Sequence, residues 1–433
     1  MRWIGNQLSQ FRASDYWRDI AWLSSGSLLA HVLTLVVMPI ASRLYTPDDF
    51  GVASIFTVIV GFVSVIVTCR YEYFVQLPKH KVNAWRLVRL VVLFGCVNCA
   101  VLTPAAWLWR ETLAGWTGNS ALAPWLVAVP AGAVAISIST ALQGWTQRQR
   151  RYRRSAESNV LSKCGYFGSI LAGYWLIPGG GGLILAGTAS ALAKVAYLAR
   201  GSHFSLLLSR RGVSLAAREQ AELAGALILS HIFMAITAAI PTLFISRTYG
   251  SDVLGQFALA YQTVLLPSSL VGSAIGNVYY QRAAETWARG DSIARLWRSS
   301  ASRLLMIGMP VYAIAAALSP SLFPVIFGSQ WRLAGHYAGV LSICAFFSFV
   351  TGPLGWTFAV VGMAFYLPLW HAARLVTTLI VAFCARYFGL GAMFFILLIV
   401  AQTSLLYLAD YYAEWRFSLR PSPNNRNNHI QNM

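Results

Sequence analysis

The chain has 433 residues and carries 33 Lys and Arg against 14 Asp and Glu, a formal net charge of +19, yet only 11% of it is charged and 57% is hydrophobic. Soluble domains carry roughly 25% charged residues, so this composition excludes a water-soluble globular protein. It also excludes a transmembrane barrel, which needs alternating segments of about 10 residues rather than unbroken apolar runs of roughly 20.

In chain order, residues 1–19 hold Arg2, Arg12, Asp15, Arg18 and Asp19, with Ile4, Leu8 and Phe11 at helical spacing. No small-residue cleavage site follows an apolar core, so the segment is expected on the cytoplasmic side, as a loose tail or lying along the membrane surface. Apolar runs then predict spanning helices at 20–41, 50–69, 87–108, 123–145, 158–177, 182–199, 223–245, 253–276, 304–324, 336–360, 366–386 and 391–410. A helix satisfies its own backbone in lipid, which an open strand or loop cannot do. The pair at 336–386 is the least distinct, since only the break from Gly362 to Phe365 divides it. Residues 20–199 and 223–410 are expected as two six-helix bundles joined by a cytoplasmic linker, 200–222. Residues 411–433, ending in the Asn-rich stretch from Pro421 to Met433, are expected as a polar cytoplasmic tail.

Basic residues orient these spans. With the N-terminus in the cytoplasm, 26 of the 33 fall in cytoplasmic segments and five (Arg43, Arg110, Arg247, Arg332, Arg386) outside, while Lys194 and Arg374 lie within spans. Positive charge is retained on the cytoplasmic side during insertion, so both termini are expected there. The run from Gln147 to Arg154 (QRQRRYRR) is accordingly a topology determinant facing anionic headgroups rather than a nucleic-acid site.

The cysteines Cys69, Cys96, Cys99, Cys164, Cys344 and Cys384 all fall within or beside apolar runs. Cys96 and Cys99 have redox or metal spacing but no second ligand pair, and are expected as buried small hydrophobes. No metal or cofactor is expected. The chain has no GxxxxGK[ST] loop, and the run from Pro178 to Gly182 lacks the Lys and Ser of a phosphate cradle.

Residues 42–51 (SRLYTPDDFG) and 246–255 (SRTYGSDVLG) repeat one pattern: Ser42, Arg43, Tyr45, Asp48 and Gly51 against Ser246, Arg247, Tyr249, Asp252 and Gly255. Each copy joins the first span of its half to the second. An even number of helices separates them, so the halves form a parallel 6+6 repeat. Asp48 and Asp252 are expected to cap the helices that follow, and the glycines to allow close approach. Duplicated six-helix halves imply transport, with a cavity between halves that opens to alternate sides.

Charges inside a bilayer point to function. All 14 acidic residues, Asp410 and Glu414 included, can be placed outside the deep parts of the spans. Arg374 lies about 12 Å into its helix at 1.5 Å per residue, with His371 on the same face. His31 and His231 lie in the first helix of each half, and Lys194 near the cytoplasmic end of the sixth, within reach of the interface by snorkelling. His31 and His231 can equally be neutral side chains satisfied by neighbouring helices. An arginine cannot shed its charge, so Arg374 is expected to face water and substrate. A cationic lumen suits a diphosphate or acidic sugar; a drug or cation antiporter would show intramembrane Asp or Glu.

The pieces SRLYTPDDFGVASIF (42–56), RYEYFVQLPK (70–79), NVYYQRAAE (277–285) and WRLAGHYAGVL (331–341), followed by Gly352-Pro353-Leu354, resemble the polysaccharide transporter (Wzx-type, O-antigen flippase) family of the multidrug/oligosaccharidyl-lipid/polysaccharide (MOP) superfamily. The resemblance implies an all-α polytopic membrane protein of about 12 helices in two bundles, like the related multidrug (MATE) exporters, in the bacterial inner membrane. It implies a non-enzymatic flippase moving undecaprenyl-diphosphate-linked oligosaccharide to the periplasmic leaflet, for O-antigen or exopolysaccharide, by alternating access. Membrane lipids, a polysaccharide polymerase and chain-length proteins are the implied partners. Arg374, Lys194, His31, His231, His371 and Arg70 are the expected cavity residues, although Arg70 can instead pair with Glu72. The alternatives are a multidrug or cation-coupled exporter of the same fold, and a membrane-embedded polymerase or glycosyltransferase, which would show a carboxylate or metal cluster.

Overall fold

A computed structural model describes Gly26 and residues 29–78, 80–177, 179–200, 221–363 and 365–420. The expected surface segment 1–19, most of the linker and the tail beyond residue 420 lie outside the described residues. Every regular element among the described residues is helical. Among the described residues helices stand at each of the twelve expected positions, the first of them from Leu29, and nine are long and apolar enough to cross a membrane. The protein is thus an all-α, multi-pass membrane protein. The chain divides into two compact units, Met1–Ala235 and Ile236–Met433; the division falls inside a helix rather than in the segment 200–222.

The first unit runs α1 (Leu29–Leu44), α2 (Pro47–Val67), α3 (Lys81–Leu108), α4 (Arg110–Thr117), α5 (Val129–Arg148), α6 (Tyr152–Leu176) and α7 (Gly181–Ala199). Helix α5 is central: Gly132, Ala133, Ala135, Ser137, Ala141 and Gly144 are buried along it, and such small side chains let neighbouring helices approach closely in a bilayer. Leu87, Val88 and Val91 of α3 pack with Ala141 and Leu142 of α5, Leu198 of α7, and Phe74 and Val75 of the short 3-10 helix Tyr71–Gln76. Helices α6 and α7 meet almost backbone to backbone, since a Cβ on Gly173 would stand 2.2 Å from the Cα of Gly182.

The second unit comprises the end of α8 (Ala221–Tyr249), then α9 (Ser251–Ala288), α10 (Ala294–Phe327), α11 (Arg332–Thr351), α12 (Trp356–Val360), α13 (Tyr366–Tyr387) and α14 (Ala392–Ser418). Helix α10 lies against α11, where a Cβ on Gly335 would fall 2.7 Å from the Ser319 carbonyl. The indistinct pair in the sequence is broken twice: after Thr351, and at Gly362, whose φ of +79° is a left-handed conformation suited to glycine.

Several expectations are corrected. Helix α9 reaches Ala288 and α14 reaches Ser418, beyond the apolar ends at 276 and 410. Hydropathy registers only the lipid-compatible part of a helix, whereas helical hydrogen bonding continues through good helix formers such as Gln281, Arg282, Ala283 and Ala284. Residues 411–418 therefore belong to α14 and not to a tail. The caps also differ. Thr46, not Asp48, caps α2, accepting from the Asp49 amide while Asp49 accepts from the Thr46 amide. Pro47, at the first helical position, places the start there. Helix α9 follows Gly250 at φ +93°, and Asp252 sits in its first turn, where a carboxylate favours the positive end of the helix dipole. Cys96 is exposed and Cys99 half-buried, not both buried; all six cysteines are free thiols.

The repeated motif occupies the same kind of corner in each unit. Ser42 and Ser246 are buried, Arg43 and Arg247 exposed, and Gly51 and Gly255 buried. The Tyr45 hydroxyl donates to the Ile170 carbonyl of α6 at 2.8 Å, and the Tyr249 hydroxyl to the Leu390 carbonyl between α13 and α14 at 2.6 Å. In both units the corner between the first two spans is pinned to the hairpin of the last two.

Candidate functional site

Lys194 lies where α5, α6 and α7 meet. From α7 its ammonium turns into the first unit, donating to Gln143 Oε1 of α5 at 2.5 Å and Asn159 Oδ1 of α6 at 2.9 Å. The network continues: Gln143 Nε2 donates to Ser155 Oγ at 3.4 Å, and Gln147 Nε2 donates to the same oxygen at 3.3 Å. Gln76 Nε2 donates to Gln147 Oε1 at 2.9 Å. The charge of Lys163, one helix away, bears on Lys194. Neutral amides satisfy the ammonium's hydrogen bonds without cancelling its charge. Ser162 and Ser190 share a 2.6 Å hydrogen bond that adds to this polar seam between α6 and α7.

Arg70 lies where α2 ends in two consecutive left-handed residues, Cys69 (φ 48°) and Arg70 (φ 57°). Its Nη1 stands 3.4 Å from Glu72 Oε1, with side-chain exposures of 10% and 1%, so the pair is buried. Thr68 donates to the other Glu72 oxygen at 2.6 Å. The guanidinium lies over the Tyr73 ring at 5.5 Å, and the His231 ring of α8 stands 5.4 Å from the same tyrosine. The structure thus joins Arg70 to His231 through Tyr73, apart from the Lys194 network. His31 lies half-buried on α1.

In the second unit Arg374 of α13 is half-buried. Its guanidinium lies 5.4 Å from the Trp370 ring, within hydrogen-bonding reach of the Tyr261 phenol of α9, and its charge reaches Cys344 of α11. His371 meets the other side of this group, its ring 5.2 Å from that of Trp370. Helix α13 is held to α14 here by Gln402 Nε2 donating to Thr377 Oγ1 at 2.6 Å. Among the described residues no carboxylate forms an ion pair with Arg374 or Lys194; carboxylates pair instead with arginines such as Arg70, Arg110 and Arg153. An aromatic face and a phenol stabilise a guanidinium without neutralising it.

Two acids stand at and just past the end of the expected span 391–410, in the last turns of α14. Glu414 is fully buried, and Asp410, one turn before it, accepts from the Tyr366 hydroxyl at 2.8 Å. The sequence carries a faint signal: Tyr407, Asp410, Tyr411, Glu414 and Trp415 continue the helical period past the apolar run. Gln143, Asn159 and Tyr261 were also missed, because neutral polar groups in a span carry no charge to mark them.

Fold and side chains together define a multi-pass membrane protein whose spans hold cations on neutral partners. Residues 40–335, more than half of the chain, match the family model described as "Polysaccharide biosynthesis protein", and the chain belongs to that family. It is 22% identical over 338 residues to the succinoglycan biosynthesis transport protein ExoT of Rhizobium meliloti (strain 1021), covering 75% of this chain and 65% of that protein. It is 23% identical over 126 residues to the teichuronic acid biosynthesis protein TuaB of Bacillus subtilis (strain 168), covering 29% of this chain and 26% of that one. The chain thus spans less than two thirds of these relatives' length. Its fold is similar to those of solved membrane transporters of the MOP superfamily. An outward-facing multidrug resistance MATE transporter matches with TM-score 0.61 at 14% identity, over 92% of this chain and 94% of that one. The lipid II flippase MurJ, in an inward closed conformation, matches with TM-score 0.61 at 11% identity, over 92% and 90%.

Proposed function

We propose that this protein is a flippase that moves an undecaprenyl-diphosphate-linked oligosaccharide from the cytoplasmic to the periplasmic leaflet of the inner membrane, with both termini in the cytoplasm, for O-antigen or another surface polysaccharide. The family match supports polysaccharide export, and one observation supports an anionic cargo: Lys194 and Arg374 are met by neutral amides and aromatic rings rather than by carboxylates. A diphosphate brings the negative charge these groups lack, and its bidentate geometry suits a guanidinium. The polyprenyl tail stays in lipid while the headgroup crosses, so the protein lowers a barrier without breaking a bond.

In this reading Arg374 meets the diphosphate in the second unit, Lys194 supplies positive charge in the first, His371 and Trp370 hold the guanidinium in place, and the Arg70–Tyr73–His231 group braces the first unit. In a strain lacking the chromosomal copy, Arg374→Ala is expected to abolish surface polysaccharide at normal protein level, with partial recovery in Arg374→Lys. Wild-type polymer from Arg374→Ala would remove this side chain from the mechanism. Unchanged polymer in the deletion strain, together with increased drug susceptibility, would favour a multidrug exporter instead.

A further inference from the structure

The acidic pair of α14, Glu414 buried and Asp410 half-buried, has no part in holding an anionic cargo. Glu414 is 0% exposed, and neither carboxylate oxygen has a hydrogen-bond partner. Trp297 of α10 brings its buried indole N–H close to this carboxylate, short of full hydrogen-bonding geometry. Across from it is the turn before α12, where a Cβ on Gly355 would meet Glu414 Oε1 at 3.7 Å. The titratable groups its charge reaches are Asp410 and Tyr411 on α14, Tyr279 on α9 and Tyr366 on α13. Helices α10 and α12 present Trp297 and Thr357, the latter bonded to the Tyr279 hydroxyl at 2.7 Å, and no residue of α10, α11 or α12 contributes a charge.

Two ionised carboxylates one helical turn apart, neither in an ion pair with a cation among the described residues, are not sustained in a buried, low-dielectric setting. One proton removes the excess charge and needs no ligand shell, whereas a hard metal ion needs several oxygens arranged about it. Asp410 already has a phenol to hold its charge, while Glu414 has only the nearby Trp297 indole. We propose that Asp410 and Glu414 form a proton site, in which one exchangeable proton is carried by the pair, chiefly at Glu414. Helices α9, α10, α12 and α13 all bring groups to this point on α14. Gain or loss of the proton therefore biases the packing of the whole second unit, as a ligand with unequal affinity for two conformations does. Its use in driving export rests on the flippase reading; the proton site itself does not.

The test treats purified full-length protein in detergent with dicyclohexylcarbodiimide, which modifies protonated carboxyl groups in apolar surroundings. Adducts on the peptide spanning 410–414 are quantified by mass spectrometry across a pH series. Labelling at Glu414 is expected to fall roughly tenfold per pH unit above the site's midpoint, with no difference between sodium and choline chloride. No labelling at any pH, or protection by sodium, would overturn the proton site. Glu414→Gln, a near-isostere of the protonated form, is expected to abolish the label, keep normal yield and melting temperature, and lose surface polysaccharide. Glu414→Asp, which retains the carboxyl, is expected to keep the label. Wild-type polymer from Glu414→Gln would overturn the coupling, while wild-type polymer from Arg374→Ala bears on the cargo site alone, so the two failures are distinguishable.

Discussion

Tyr45 and Tyr249 show what a single side chain contributes here. Each places an aromatic ring at the corner between two spans and uses its hydroxyl to hold a distant carbonyl of its own unit. Their packing is specific as well: Tyr45 meets the Tyr174 ring edge-on at 5.7 Å, and Tyr249 lies 5.9 Å from Phe244. Replacing either by Phe keeps the ring and removes one hydrogen bond, a loss of about 1 kcal/mol. The two sites lie in different units and share no contact partners, so the double variant should lose about the sum. Thermal unfolding in detergent checks this; an unchanged midpoint in Tyr45→Phe would show that the hydroxyl contributes nothing to the corner. The tyrosines were legible from the sequence as members of a repeat, but their acceptors were not. Ile170 and Leu390 offer backbone carbonyls, which every residue has, and lie more than a hundred residues away.

Among the elements, the α6–α7 hairpin depends on the absence of side chains. Gly173 and Gly182 face each other at a separation with no room for a methyl group, and a Cβ on Gly182 would also strike the Tyr45 hydroxyl at 2.3 Å. The obstacles include backbone atoms, which cannot rotate away, so Gly173→Leu must push the helices apart. Overpacking of this kind costs at least about 1–3 kcal/mol, and here it also disturbs the Lys194 network, which bridges α5, α6 and α7. Gly168→Ala on the same helix meets nothing within 4 Å and should be neutral. The expected outcome is loss of monodisperse protein in size-exclusion chromatography for Gly173→Leu alone; equal behaviour of the two variants would contradict the close packing. Helix positions were accessible to hydropathy because burial in lipid requires long apolar runs. Helix ends were not, since α9 and α14 continue into polar and aromatic sequence that hydropathy discards.

For the whole molecule, the arginine distribution gives an orientation that can be tested directly. Residue 115, in α4, belongs to an outer connection under the expected topology, and residue 153, at the start of α6, to an inner one. Both tolerate a small side chain: a Cβ on Gly115 meets nothing within 4 Å, and Arg153 is 72% exposed. In a background freed of the six native cysteines, Gly115→Cys should react with a membrane-impermeant maleimide in intact cells, and Arg153→Cys only after lysis. The reverse pattern would invert the topology.

By itself the sequence determined the class of protein, the positions of its spans, the internal repeat and the presence of uncompensated positive charge within it. These properties follow from solvation: lipid demands apolar length, and insertion sorts arginine and lysine by side, so both leave one-dimensional traces. Tertiary structure alone decided which groups meet. It brought Lys194 onto Gln143 and Asn159, seated Arg374 by Trp370 and Tyr261, and enclosed Glu414 beside Trp297. Whether a polar residue at the end of a span is solvated or buried depends on which helices pack against it, and that packing leaves no periodic mark along the chain.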